Sequence, residues 1–337
     1  MVLRIEEKVR EWSAQAGLDI VRITSAATTL SEWERVRDSG KAYEDGSRYG
    51  NPCFWNPATA LKGAKSVICA AECYLTSEEI PQSTPEKPLG KIARYTWRNY
   101  YKDVRMKLGL VAGKLKKETG AVCRHYSNGP IAEKPLAERA GVGWYGKNCI
   151  VRTKKYGSWI VLGEIVTDID LKPDEPLKQS CGACMKCIES CPTGAFVKPY
   201  VLDGKKCLQH LTNWYGVFPE DISKIWGDRL YGCTTCQDAC PGNKNIKPLD
   251  RKPRYGAVGT AYPLLDILKM TESEYFRAFR GNQMGANWID FRAIRRNAIV
   301  ALGNTGGAKA ASALKEYMKS PDRVIRDQAA ASLLAMK

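Results

Sequence analysis

The 337-residue chain contains no run of 18 or more apolar residues, which excludes an ordinary membrane-spanning helix. Its opening stretch, MVLRIEEKVREW, lacks the apolar middle of a secretion signal and reads as an amphipathic first helix. Histidine is scarce, with only His125 and His210. Cysteine is plentiful: there are 13, and eight of them fall between Cys181 and Cys240. Disulfide frameworks belong to small exported chains. A long chain without an export signal, its cysteines two and three residues apart, points to metal ligation in a reducing compartment, so a cytoplasmic protein is expected. A hydrophobic content of 44% allows a sizeable core, and the length allows two or three domains at about 150 residues each.

The net charge of +16 arises from 52 Lys and Arg against 36 Asp and Glu. Such an excess serves either solubility or a polyanionic partner, nucleic acid above all. From Arg251 to Lys337 there are 15 basic and 7 acidic residues, so about half of the net charge sits in the last quarter of the chain.

The cysteines read CGACMKCIESCPTGAF, then Cys207, then YGCTTCQDACPGN. Cys181, Cys184, Cys187 and Cys191 followed by Pro192 have the spacing of one half of a bacterial ferredoxin. Three thiolates two residues apart converge on one cluster, and the fourth turns away to the other. The second block has Cys233, Cys236 and Cys240 followed by Pro241, with Cys207 supplying its missing ligand. Cluster one is therefore assigned Cys181, Cys184, Cys187 and Cys240, and cluster two Cys191, Cys207, Cys233 and Cys236. A pair of structural zinc sites would also use four thiolates each, although zinc ribbons rarely show this even spacing or the Cys-Pro ending. Cys53, Cys69, Cys73, Cys123 and Cys149 are expected to be small buried residues.

Residues 1–175 alternate helix and strand. KSVICAAECYL is a short strand, YYKDVRMKLGLVAGKLKKETG a helix ending on Gly120, and NCIVRT with YGSWIVLGEIVTDI a two-stranded hairpin. The polar, proline-bearing LKPDEPLKQS marks a boundary. The cluster segment runs over residues 176–250, with a helix in PEDISKIWGDRL, and the tail covers residues 251–337. In the tail RAIRRNAIVAL and RVIRDQAAASL recur 31 residues apart, as in HEAT-like helical repeats or two unrelated amphipathic helices. Arg292, Arg295, Arg296, Arg323 and Arg326 then share one face suited to phosphates.

Several blocks together resemble the epoxyqueuosine reductase family: KIARY at 91–95, AERAGVGWYGKN at 137–148, GSWIVLGEIVTD at 157–168, the cysteine array, and RNAIVALGN at 296–304. The resemblance spans nearly the whole chain. It implies an α/β corrinoid-binding domain related to that of reductive dehalogenases, then a ferredoxin-like two-cluster domain, then a C-terminal α-helical HEAT-like tail. It implies two [4Fe–4S] clusters and cobalamin as cofactors, an external low-potential electron donor, and a tRNA anticodon stem-loop as partner. It also implies a monomer that reduces the epoxide of epoxyqueuosine without contact with a membrane. Arg94, Ser127, Lys147, Asn148, Gly157, Ser158, Gln209 and His210 are the residues it places at the cofactor. Gly157 also fits a plain turn, and Lys147 or His210 a plain surface position. Trp97, Tyr100 and Tyr101 are either base-stacking aromatics or core. Neither histidine lies in the Asp-x-His-x-x-Gly pattern that supplies a lower ligand to cobalamin elsewhere.

The chain departs from the family at HYSNGP, residues 125–130, where Ser127 stands in place of the acid expected to protonate the opening epoxide. A hydroxyl is a poor proton donor near neutral pH. Either His125, Tyr126 or Tyr145 supplies the proton, or the substrate differs, or catalysis is lost and binding kept. The alternatives are a paralogous corrinoid reductase on another substrate and an electron carrier with no substrate of its own. A second departure is LTNW after Cys207, with His210 at a position where the family usually has tyrosine.

Overall fold

The computed structural model describes residues 3–31, 34, 50–250, 253 and 255–336. Helix α1 (Ile5–Gln15) follows the amphipathic reading, with Met1 and Val2 outside the described residues. Strands β1 (Ile20–Ser25) and β2 (Ser66–Cys73) come next, then β3 (Leu89–Ile92) and helix α2 (Tyr100–Thr119). Gly120 closes α2 with φ of 75°, the left-handed cap its sequence predicts. Strand β4 (Cys123–Tyr126), helix α3 (Glu133–Arg139), the short strands β5 (Trp144–Tyr145) and β6 (Val151–Arg152), and β7 (Ile160–Thr167) complete the first part.

One sheet has the order β1-β2-β7-β4, antiparallel at every pairing. All eight residues of β2 and all eight of β7 are buried, because helices cover both faces. On one face Glu72 bonds Lys107 of α2 at 2.6 Å. Cys69, three residues earlier, feels Arg139 and Glu133 of α3. Full burial on both sides explains why β2 reads as a continuous apolar run rather than an alternating one. The expected hairpin is only partly formed. Thr153 and Gly157 make a single bridge, while Val151 and Arg152 pair with Trp144 and Tyr145, and Ile160–Thr167 enters the large sheet.

The cluster segment carries α4 (Lys186–Glu189), β8 (Phe196–Lys198), β9 (Val201–Leu202), α5 (Leu208–Leu211), α6 (Glu220–Trp226), β10 (Arg229–Tyr231) and α7 (Thr235–Asp238). The tail carries β11 (Ala261–Pro263), α8 (Leu264–Lys269), α9 (Glu272–Ala278), α10 (Phe291–Thr305), α11 (Ala308–Tyr317) and α12 (Arg323–Ala335). The boundary expected at 250–251 falls at Arg251 and Lys252, outside the described residues. A second core crosses these segments. Strand β3 lies between β10 and β11, and Ile92 and Trp97 pack with Leu230, Tyr275, Ile294 and Leu302. Trp97 and Tyr100 are therefore core residues and not base-stacking surfaces, and Tyr101 packs partly buried against the first core.

In the tail, Ile294 and Ile325, and Ala298 and Ala329, each pair 31 residues apart, are buried where α10 and α12 pack together. The five arginines of the expected face do not behave alike. Arg292 bonds Asp290, Arg323 bonds Asp327, Arg295 donates to Met270 O and Arg326 to Ser320 O. Arg296 is fully buried. The five extra cysteines also divide: Cys69 and Cys73 are buried, Cys123 and Cys149 half-buried, and Cys53 exposed.

Candidate active site and metal centres

Cys181, Cys184 and Cys187 from the first block and Cys240 from the second line one cavity, with Lys147, Asn148 and Arg152 on its wall. Cys240 of the second block thus shares a cavity with the first block: α4 and α7 pack side by side, and the proline after Cys240 opens a tight turn. Burial pushes the Cys187 thiol up, and Cys181, Cys240 and Cys184 add repulsion. The second set behaves alike. Burial raises Cys207, with Cys233 and Cys191 contributing, and lifts Cys236 to about 12, with Cys233 and Cys207 contributing. Such thiols become thiolates only when a cation compensates them. Cys187 also repels Cys236, so the two sets are neighbours. Among the described residues no three His, Cys, Asp or Glu groups close on a point fit for a single metal ion.

The surrounding donors suit sulfur. Thr193 Oγ1 and Ala195 N lie 3.5 and 3.4 Å from Cys191 Sγ, and Thr235 Oγ1 lies 3.3 Å from Cys233 Sγ. Arg152 Nη1 is 3.9 Å from Cys181 Sγ. Arg152 has no sequence signal of its own; it arrives from β6, far from the array.

Four residues expected at the corrin make contacts with this segment. Lys147 Nζ donates to Gly182 O at 2.7 Å, between Cys181 and Cys184. Asn148 is buried on the wall of that cavity. Gly157 has φ of 56°, and a β-carbon there would collide with the Asn243 side chain. Ser158 is tied from both ends: its amide donates to Asn243 Oδ1 at 2.9 Å, and its hydroxyl receives Asn243 Nδ2 at 2.8 Å and Gln237 Nε2 at 3.2 Å. Gln237 and Asn243 flank Cys240, so this buried network locks the second block onto β7. Of the others, Gln209 accepts from the Tyr95 hydroxyl, and His210 is exposed. Arg94 lies 4.7 Å over the Trp97 ring and lines a cavity of about 380 Å³ with Trp159, Asp238 and Asn243.

At the end of β4, Ser127 Oγ donates to Leu162 O at 2.5 Å. Asn128, at φ of 55°, and Gly129 turn their amides onto the Glu133 carboxylate, pinning the loop to α3. Glu138 Oε1 accepts from Tyr145 N at 2.8 Å, and Arg139 donates to Ser25 O and Ala27 O, each at 2.8 Å. Tyr126 is half-buried beside Gly129.

His125 points the other way, onto α2, where its Nε2 lies 3.1 Å from where a β-carbon on Gly109 would sit. Burial, and then Arg105, lower its pKa below 6.5. A depressed histidine favours the neutral form, so the stability it supports is present above the unfolded pKa of about 6.5 and lost as pH falls below it. His125→Gln should flatten that acid-side loss in a series of melts from neutral pH downward and leave turnover unchanged; loss of turnover with an intact fold would return His125 to the catalytic list.

The comparisons with known proteins agree with this arrangement. Residues 180–243 match the 4Fe-4S double cluster binding domain, and residues 55–127 match the family model described as epoxyqueuosine reductase QueG, DUF1730. The epoxyqueuosine reductase of Bacillus subtilis is 35% identical, covering 98% of this chain and 87% of that protein. The chain belongs to the epoxyqueuosine reductase family. It is an oxidoreductase by kinship, and its double [4Fe–4S] cluster domain spans residues 180–243. Among solved structures, an epoxyqueuosine reductase with an epoxyqueuosine-modified tRNA-Tyr stem loop superposes with a TM-score of 0.90 at 31% identity, over 98% of this chain and 90% of that one. The Bacillus subtilis enzyme with its aspartate-bearing catalytic loop swung out of the active site gives 0.88 at 32% identity, with the same coverage. Among the described residues no helix is long and apolar enough to cross a membrane.

Proposed function

We propose that the chain removes the epoxide oxygen of epoxyqueuosine in a tRNA anticodon stem-loop, giving queuosine. The observation that carries this reading is the match over 98% of the chain to a solved epoxyqueuosine reductase holding its modified stem loop. The reaction takes up two electrons and two protons and releases water. The clusters supply electrons singly, and a cobalamin, implied by the family, supplies low-valent cobalt. Arg94, Ser127, Lys147, Asn148, Gly157, Ser158, Gln209 and His210 are the residues that would hold the corrin, and Lys147 and Ser158 also tie that site to the cluster segment. Leu162 O holds the Ser127 proton at the strand end.

By this reading residues 1–175 bind the corrin, 176–250 the clusters, and 251–337 form a basic HEAT-like tail for the tRNA, with residues 89–97 anchoring tail to body. The protein is read as a cytoplasmic monomer fed by an external low-potential donor. The test is anaerobic turnover of protein loaded with clusters and cobalamin, with epoxyqueuosine-containing tRNA and a strong reductant, followed by nucleoside digestion. Queuosine in the digest is expected. Binding of both cofactors and tRNA with no queuosine would refute turnover of this substrate, and a chain with iron but no cobalt affinity would be an electron carrier.

A further inference from the structure

The loop after α5 presents an aromatic ring that nothing in the fold requires at the surface. Trp214 is 42% exposed, although Trp97, Trp226 and most other large rings are buried. It sits seven positions past Cys207, and its amide donates to His210 O at 3.2 Å. We propose that Trp214 is a stacking platform for an unpaired base of the tRNA, an inference that rests on the function proposed above.

The ring is held still. It lies nearly parallel to Phe218, at 12° with centroids 6.1 Å apart, and the Arg296 guanidinium stands 5.7 Å from its centroid. Gly216 lies against the six-membered ring of the indole; a β-carbon there would overlap it. The backbone that carries the ring is clamped from α10. Arg296 donates to Leu211 O at 2.9 Å, Trp214 O at 2.5 Å and Gly216 O at 2.7 Å. Asn297 Nδ2 donates to Thr212 O at 2.9 Å. The rigidity of this loop means that little ordering remains to be done when a ligand arrives.

The occupant follows from charge and shape. Unpaired RNA bases are recognised by stacking on aromatic faces, and every base offers one. A chain of net charge +16 draws a polyanion to its surface. Over the next residue in the chain, Tyr215, stands the Arg292 guanidinium, 59% exposed, 4.5 Å from that ring centroid and paired with Asp290. Arg296, read from the sequence as a phosphate contact, thus acts through the loop and never touches the RNA.

The experiment measures the affinity of an anticodon stem-loop for the holoenzyme at several salt concentrations. Trp214→Ala should weaken binding by about 10-fold or more. Its salt slope should match the native protein's, because no cation is lost. Trp214→Phe should recover most of the affinity, and Gly216→Ala should weaken binding while keeping the indole, by displacing it. Melting of Trp214→Ala should be near native. If the native chain binds the stem-loop and Trp214→Ala binds as well, the platform is wrong and the tRNA reading survives. If the native chain binds no stem-loop, the tRNA reading fails and the platform with it. If Trp214→Ala loses cobalamin and keeps RNA, the ring covers the cofactor and the inference is overturned.

Discussion

Cys207→Ala should leave about four irons per chain instead of about eight, and no turnover. Cys207 ends a turn at Gly204–Lys206 and begins α5, so its place is fixed by backbone hydrogen bonds on both sides. Its thiol is raised by burial, and Cys233 and Cys191 are among the groups that repel it. Removing it takes one of four ligands from cluster two and leaves the cavity lined by Cys181, Cys184, Cys187 and Cys240 intact. The crossover makes a sharper demand. Cys240→Ala lies in the second block, yet it should remove the same cluster as Cys184→Ala and leave the cluster that Cys207→Ala destroys. Iron and acid-labile sulfide per chain, with the electron-resonance signals of the reduced variants, separate the two centres. If Cys240→Ala and Cys207→Ala abolish the same signal, the ligand sets have been paired wrongly.

What the sequence made legible was local. The β2 run, the capped helix at 100–119 and the cysteine spacing each depend on neighbours within one element or loop. What the sequence left open concerns long-range partners. Arg296 sits in a run of arginines that resembles a phosphate-binding face, but the loop at 211–216 brings it three carbonyl acceptors, and Phe218 stacks on its guanidinium at 3.6 Å. Burial then lowers its pKa from 12.5 to about 9. Nothing in α10 alone foretells that. Ser158 likewise looks free in a glycine-rich turn until Gln237 and Asn243, some 80 residues on, close over it. Lys147 and Asn148 share a motif with the rest of the cofactor domain, and nothing in that motif foretells that both also line the cavity of Cys181, Cys184, Cys187 and Cys240. Periodicity reports which face of an element is apolar, and not which polar group from another segment will meet it.

Ser127→Asp is expected to raise turnover by about 10²- to 10⁴-fold, the range a positioned general acid contributes. The loop is ready for it. Asn128 and Gly129 are pinned by Glu133, so residue 127 is held at the end of β4 with its side chain on Leu162 O. That carbonyl only accepts. An ionised carboxylate placed there would face it with no proton to share, and the nearby Glu133 carboxylate would add repulsion, so the protonated acid is favoured and its pKa raised. The sign of the pH effect follows: the gain should be full below the raised pKa and vanish as pH climbs through it. The native chain, with a hydroxyl at 127, should show no such limb. In the Bacillus subtilis relative the aspartate-bearing loop is seen swung out; a Glu133→Gln change on top of Ser127→Asp should release the loop here and cost part of the gain. A variant with neither gain nor acid limb, alongside a native chain that already makes queuosine, would leave the proton with Tyr126 or Tyr145. Tyr126→Phe and Tyr145→Phe then decide between them, because only the true donor abolishes product when its hydroxyl is removed.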